Sequence, residues 1–124
     1  CRFLVSPGAA PELLAAAKAG PVPLLPGAAT ASEVMALLEA GYSLQKFFPA
    51  EPAGGVTYLK ALASPLAGVR FCPTGGITRD SAGKYLALSN VCVGGSWVAP
   101  ADRVAAGDWF GIEALAQDAA TLKV

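Results

Sequence analysis

Five short apolar runs, each stopped by proline or glycine, leave this 124-residue chain few ways to fold. Phe3-Leu4-Val5-Ser6 stops at Pro7-Gly8, Val22-Pro23-Leu24-Leu25 at Pro26-Gly27, and Gln45-Lys46-Phe47-Phe48 at Pro49. Val69-Arg70-Phe71-Cys72 then stops at Pro73, and Val91-Cys92-Val93 at Gly94-Gly95. Helical stretches fill the gaps. Pro11 opens one that carries Leu13, Leu14 and Ala17 and ends at Gly20. Thr30 and Glu33 stand three apart before Met35, Leu37 and Leu38, the spacing of a capping box, with Gly41 as the stop. A third helix is expected from about Val56 to the Ser64-Pro65 break, and a fourth, capped by Thr78 or Asp80, through Tyr85, Leu86 and Leu88. The last, over Asp108–Leu122, carries Phe110, Ile112, Leu115 and Ala119 at helical spacing.

Strand starts recur about every 20–24 residues, and near-continuous apolar strands alternating with helices imply a parallel α/β sheet. The choice is between an open doubly wound sheet and a (β/α)8 barrel. Because every strand ends in proline or glycine at its C-terminal edge, the loops suit the shared mouth of a barrel. A barrel needs eight strands and about 200 or more residues, so five strands cannot close one. The chain also opens directly with Cys1 in an apolar run, without an initiator methionine. It is therefore expected to form a single domain over residues 1–124, the C-terminal five βα units of a longer polypeptide, with the N-terminal strands absent from this chain.

Lys46 is the residue with the most chemical consequence. It is either the polar-facing residue of a half-exposed strand or a lysine enclosed beside Phe47 and Phe48. Enclosure disfavours an unpaired ammonium, and a neutral amine attacks a ketone to form a Schiff base. Two glycine-rich turns follow, Thr74-Gly75-Gly76-Ile77 and Gly94-Gly95-Ser96-Trp97. If the fifth strand is the last of a barrel, these are the loops after strands seven and eight, where barrels often bind phosphate. Glycine lets backbone N–H groups approach an anion, and Ser96 adds a hydroxyl; each pair also serves simply as a tight turn. Glu51 and Glu33 are the acids nearest a strand end, and they read more strongly as a surface loop charge and a helix cap, respectively, than as proton carriers. Arg70 lies at the opposite end of its strand and reads as structural.

Composition narrows the chemistry further. There is no histidine, which excludes a Ser-His-Asp triad, a Cys-His pair and nearly every catalytic zinc site. Cys1, Cys72 and Cys92 are odd in number and too far apart for a metal knuckle, so buried thiols in a reducing cytoplasm are expected. Zero net charge gives no electrostatic case for nucleic acid or an anionic membrane. No apolar run reaches the ~18 residues of a membrane span. With 15% charged residues against a usual share of about 25%, much of the surface is expected to be covered by other chains or by more of this one.

Lys46-Phe47-Phe48-Pro49-Ala50-Glu51, Arg70-Phe71-Cys72-Pro73-Thr74-Gly75-Gly76-Ile77 and Gly94-Gly95-Ser96-Trp97 together resemble the 2-keto-3-deoxy-6-phosphogluconate (KDPG) aldolases. Ser6-Pro7-Gly8 and Leu25-Pro26-Gly27 fit the same pattern in register. The resemblance implies a (β/α)8 TIM-type barrel of which this chain supplies strands four to eight, in a cytoplasmic homotrimer. It also implies a class I aldolase, without metal or other cofactor, acting on a phosphorylated keto acid to give pyruvate and glyceraldehyde 3-phosphate. By that resemblance Lys46 is the Schiff-base lysine, Thr74 and Phe48 contact the pyruvyl group, and Pro7 and Pro26 line the mouth. Gly75, Gly76, Gly95 and Ser96 would hold the phosphate. The family's general acid/base glutamate and carboxylate-binding arginine match no position here. A related aldolase acting on 4-hydroxy-2-oxoglutarate or the galactonate epimer, an inactive phosphate-binding half-barrel, and a sugar-phosphate isomerase are the competing readings.

Overall fold

A computed structural model describes residues 1–122. Its strands are β1 (Leu4–Val5), β2 (Leu24–Leu25), β3 (Gly27–Ala28), β4 (Leu44–Phe47) and β5 (Arg70–Pro73). Its helices are α1 (Pro11–Ala19), α2 (Ala31–Glu39), α3 (Gly55–Ala63), α4 (Arg79–Leu86), α5 (Ala101–Ala106) and α6 (Trp109–Ala120), with a 3-10 turn at Ser96–Val98.

All strand pairs are parallel and follow chain order: β1 with β2, β3 with β4, β4 with β5. A bridge between Phe71 and Val91 continues the series. A doubly wound sheet would reverse direction at a switch point, whereas neighbours taken strictly in order form the wall of a barrel. The α/β arc is therefore part of a barrel wall.

Two strands differ from expectation. The run at Val22–Leu25 does not stop at Pro26. It continues to Ala28 and changes partner at the proline, from β1 on one side to β4 on the other. Proline has no N–H to give a ladder, so the pairing breaks there while the chain runs on. The run at Val91–Val93 is reduced to the single bridge at Val91, with Cys92 N–H donating to the Phe71 carbonyl at 3.0 Å. The final helical stretch is also two helices. Gly107, at φ +67°, ends α5, and the Asp108 carboxylate caps α6 by accepting from the Gly111 N–H at 2.9 Å.

Strand alternation sorts the side chains. Gln45, Phe47 and Phe71 point outward under α2, α3 and α4, where Val34, Leu37, Leu59, Val69 and Tyr85 complete the core. Each buried phenylalanine contributes roughly 1.5–3 kcal/mol. Gln45 is fully buried; its amide donates to the Val34 carbonyl at 3.0 Å and the Tyr42 carbonyl at 2.9 Å, tying α2 and the turn that follows it to β4. The inner, concave face carries Leu44, Lys46, Cys72 and Cys92. It stays open, with Phe3 58% and Leu44 39% exposed. Among the described residues no helix is long and apolar enough to cross a membrane.

The capping box at the start of α2 forms as expected. The Thr30 hydroxyl accepts from the Glu33 N–H, and the Glu33 carboxylate accepts from the N–H groups of Ala29 and Thr30 at 2.8 and 2.9 Å. Thr78, not Asp80, caps α4, in a similar exchange with Ser81. Thr30→Ala is expected to lower stability by about 1 kcal/mol in denaturant melts. The Ala29 N–H holds the Glu33 carboxyl below its ordinary pKa. Its contribution is thus present above about pH 4.3 and lost as pH falls through the lowered value. The Thr30 side chain also helps to hold that carboxylate ionised, so the loss from Thr30→Ala should shrink in acid.

Candidate active site

The C-terminal ends of β4 and β5 and the two glycine turns close on a cavity of about 450 Å³. Lys46 enters it from β4. Backbone register places Gly27, Lys46 and Cys72 side by side on three neighbouring strands, so Lys46 has no side chain on one flank and a thiol on the other. Its Nζ lies 4.5 Å from the centroid of the Phe48 ring, whose face holds the amine over the cavity. Among the described residues the ion pairs are Arg79–Asp118 and Arg103–Asp108, both at the surface, and neither involves Lys46.

Thr74 sits one position past β5. Its buried hydroxyl has no hydrogen-bond partner among the described residues, and it lines the cavity. Buried polar groups are nearly always satisfied, so an unpartnered hydroxyl beside Lys46 marks a place where a ligand would bond. The glycine turns present further unused donors. Gly94 N–H donates to the Pro73 carbonyl at 3.0 Å, but among the described residues the N–H groups of Gly75, Gly76 and Gly95 have no acceptor. Both turns are glycine because neighbours press on them. A Cβ on Gly75, at φ +99°, would meet the Phe48 ring and Pro49 at 3.2 Å, and one on Gly94 would come within 2.7 Å of the Thr74 methyl. The absence of side chains lets the loops close on each other and leaves their amides bare for an anion.

Lys46, Phe48, Thr74, Gly75, Gly76, Gly95 and Ser96 thus share one cavity. Pro7 and Pro26 do not line it. Pro26 is buried, and its carbonyl accepts the Lys46 N–H at 2.8 Å; the Pro7 carbonyl packs where a side chain on Gly27 would stand. Both brace the wall beside Lys46. Ile77 and Gly94, members of the two glycine-rich turns not singled out as site residues from the sequence, complete the lining, and Cys72 was missed as cross-strand neighbour of the lysine. Period-two alternation was the available signal, because Cys72 and Thr74 share a face just as Lys46 and Phe48 do. The Cys92 thiol donates to the Phe71 carbonyl at 3.7 Å. Interaction between the neighbouring Cys72 and Cys92, with burial, pushes the Cys72 thiol up, and the same interaction pulls Cys92 down. The lining residues include no carboxylate.

Comparison with known proteins agrees with this geometry. The family model described as KDPG and KHG aldolase matches residues 1–115. The chain is 50% identical over 119 residues to the 2-dehydro-3-deoxy-phosphogluconate aldolase of Dickeya dadantii, covering 95% of this chain and 56% of that protein. Identity and coverage are the same for the KHG/KDPG aldolase of Escherichia coli K12. Among solved structures, the KDPG aldolase of Zymomonas mobilis ZM4 with 3-phosphoglycerate superposes with a TM-score of 0.88 at 50% identity, over 99% of this chain and 58% of that one. The Legionella pneumophila KDPG aldolase, with pyruvate captured as a covalent carbinolamine, gives 0.88 at 43% identity, over 100% and 59%. The chain therefore spans somewhat more than half the length of these relatives. With a lysine, a free hydroxyl and bare amides gathered at the mouth of a parallel barrel wall, and with that match across nearly all of its residues, the chain belongs to the KDPG and KHG aldolase family.

Proposed function

We propose that this chain carries the Schiff-base and phosphate-binding part of a class I aldolase that cleaves KDPG to pyruvate and glyceraldehyde 3-phosphate. The observation that carries the reading is Lys46, without a carboxylate partner, in one cavity with the unpaired Thr74 hydroxyl and the free amides of Gly75, Gly76 and Gly95. The Lys46 amine attacks the C2 ketone, and loss of water gives a protonated imine. Electrons of the C3–C4 bond flow into that imine, releasing the aldehyde and leaving an enamine, which takes a proton and is hydrolysed to pyruvate and free lysine. Thr74 and Phe48 hold the pyruvyl end. The two glycine turns and Ser96 hold the phosphate, and binding it at a distance orients the reacting carbons. Proton transfer falls to water or to a group outside the residues lining this cavity. The ligands named for the Zymomonas and Legionella relatives, a phosphorylated three-carbon acid and a pyruvate adduct, match the two ends of this substrate.

A second substrate, 4-hydroxy-2-oxoglutarate, is favoured by the double name of the Escherichia coli relative and of the family model. It needs the lysine and not the phosphate turns. In the same reading, residues 1–124 are one domain, five βα units of the barrel, in a cytoplasmic homotrimer. The exposed Trp109 and Phe110 on α6, at 64% and 88%, offer apolar area for such self-association.

Borohydride reduction in the presence of pyruvate, followed by peptide mass spectrometry, tests the lysine. A reduced pyruvyl adduct on the peptide containing Lys46 is the expected result. An unmodified Lys46 in the folded chain would remove the reading.

A further inference from the structure

The loop Phe48–Gly54 after β4 and the turn Thr74–Thr78 after β5 are joined at several points. Ala50 N–H donates to the Thr74 carbonyl at 2.8 Å, and Glu51 N–H donates to the Gly75 carbonyl at 3.0 Å. The Tyr85 hydroxyl, from α4, donates to Glu51 Oε1 at 2.6 Å. Tyr85 is fully buried, and its hydroxyl is held well above its ordinary pKa by burial and by that carboxylate.

We propose that Glu51 and Tyr85 form a clasp that sets the phosphate turn, so that this pair of positioning residues decides how strongly the site prefers a phosphorylated substrate. The inference rests on reading Gly75 and Gly76 as phosphate ligands and deepens that reading. A surface glutamate that merely satisfied a tyrosine would need no glycine pressed against its stem. Here Gly76 makes room for it. A Cβ on Gly76, at φ +79°, would come within 2.8 Å of Glu51 Cβ and 3.0 Å of its Cγ, while Gly55, a glycine because of its φ of +62°, lies in ordinary contact with the Glu51 carboxylate and the Tyr85 hydroxyl. The glutamate stem thus lies directly against the turn whose amides are free, while its carboxylate is anchored to α4, the helix that this turn leads into. Lys46 lies on a strand held by its own ladder on both sides and is placed independently of the clasp. Loosening the clasp should therefore act on the phosphate end of the site far more than on the lysine.

The test compares the parent chain with Tyr85→Phe, Glu51→Ala, Glu51→Gln and the double variant Glu51→Ala/Tyr85→Phe. Inorganic phosphate is titrated by NMR, and pyruvate is trapped with borohydride in parallel. Tyr85→Phe and Glu51→Ala should each raise the phosphate Kd about tenfold, the scale of a lost hydrogen bond to a charged group. The double variant should be no worse than either single one. Glu51→Gln, whose amide oxygen still accepts from the phenol, should stay within about threefold of the parent. Trapping at Lys46 should change much less than phosphate affinity. A parent chain that binds no phosphate, an unchanged Kd in both Tyr85→Phe and Glu51→Ala, or equal losses in trapping and phosphate binding would overturn the clasp. Failure of the parent to trap pyruvate, with the phosphate Kd still responding as described, would remove the lysine chemistry and leave the clasp standing.

Discussion

Lys46→Arg is expected to eliminate pyruvate trapping and to lower aldol cleavage by the full enzyme by more than about 10⁴-fold, the scale seen when a covalent nucleophile is removed. Arginine keeps the positive charge, the length and an affinity for the Phe48 ring, so the fold and the phosphate turns should be preserved. What it loses is nucleophilicity, because a guanidinium stays protonated at any pH a protein survives. The substitution therefore separates two roles that a strand lysine could play. As a positive charge attracting a phosphorylated ligand, Lys46 would be replaced well by arginine, and a sugar-phosphate isomerase on this scaffold would keep its turnover. As a Schiff-base nucleophile it has no substitute. Phosphate titration by NMR should give the same Kd for the variant and the parent, within about threefold, while mass spectrometry finds no adduct. Lys18, Lys60 and Lys84 are exposed and lie outside the cavity. A persisting adduct on one of them would show that the chemistry lies elsewhere.

The largest effect on stability is expected from Gly27→Ala. Gly27 is buried at the start of β3, paired with Lys46, and a Cβ there would lie 2.2 Å from the Pro7 carbonyl oxygen and 2.4 Å from its carbon. The obstacle is backbone, which cannot rotate away like a side chain. Either β3 must withdraw from β4 or the Pro7-Gly8 turn must leave the wall. The cost should be about 3 kcal/mol or more, at the upper end of overpacking effects. That corresponds to a fall in Tm of roughly 10 °C for a chain of this size. Because the pairing next to Lys46 is what shifts, pyruvate trapping should fall as well, even at temperatures where the variant remains folded. Gly8→Ala is the control. A Cβ at Gly8 meets nothing within 4 Å and should leave Tm within about 2 °C. A thermal melt of Gly27→Ala that matched the parent would mean that β1 does not lie against this strand in solution.

The local features of the chain were legible because their causes are local. The Thr30–Glu33 box, Pro11 at the first turn of α1 and the glycine stops all act within a few residues, and each starts or ends a helix where its spacing says it should. Even α5, which was missed, is bracketed by such signals, with Pro100 before it and Gly107 after it. The chemistry-bearing types were legible for a related reason. A chain without histidine must use lysine, hydroxyls and backbone, and Lys46 stands out within an apolar run.

Pairing was not legible in the same way. Pro26 reads as the end of a strand, yet in the fold it is the point where one strand passes from β1 to β4, since the missing N–H matters only once neighbours exist on both sides. The Val91 run has the composition of a strand and exchanges backbone hydrogen bonds with β5 through Asn90, Cys92 and Gly94, yet pairs at a single bridge, and Pro7 and Pro26 lie outside the cavity lining. Residue types, caps and turn chemistry follow from hydrogen bonds and torsions within a few positions of each residue. The meeting of Lys46 with the Thr74 hydroxyl, of Gly75 with the Phe48 ring and of Glu51 with Tyr85 depends on strand register and on helices returning over the sheet. Those contacts join residues far apart in the chain, and long-range packing alone brings them together.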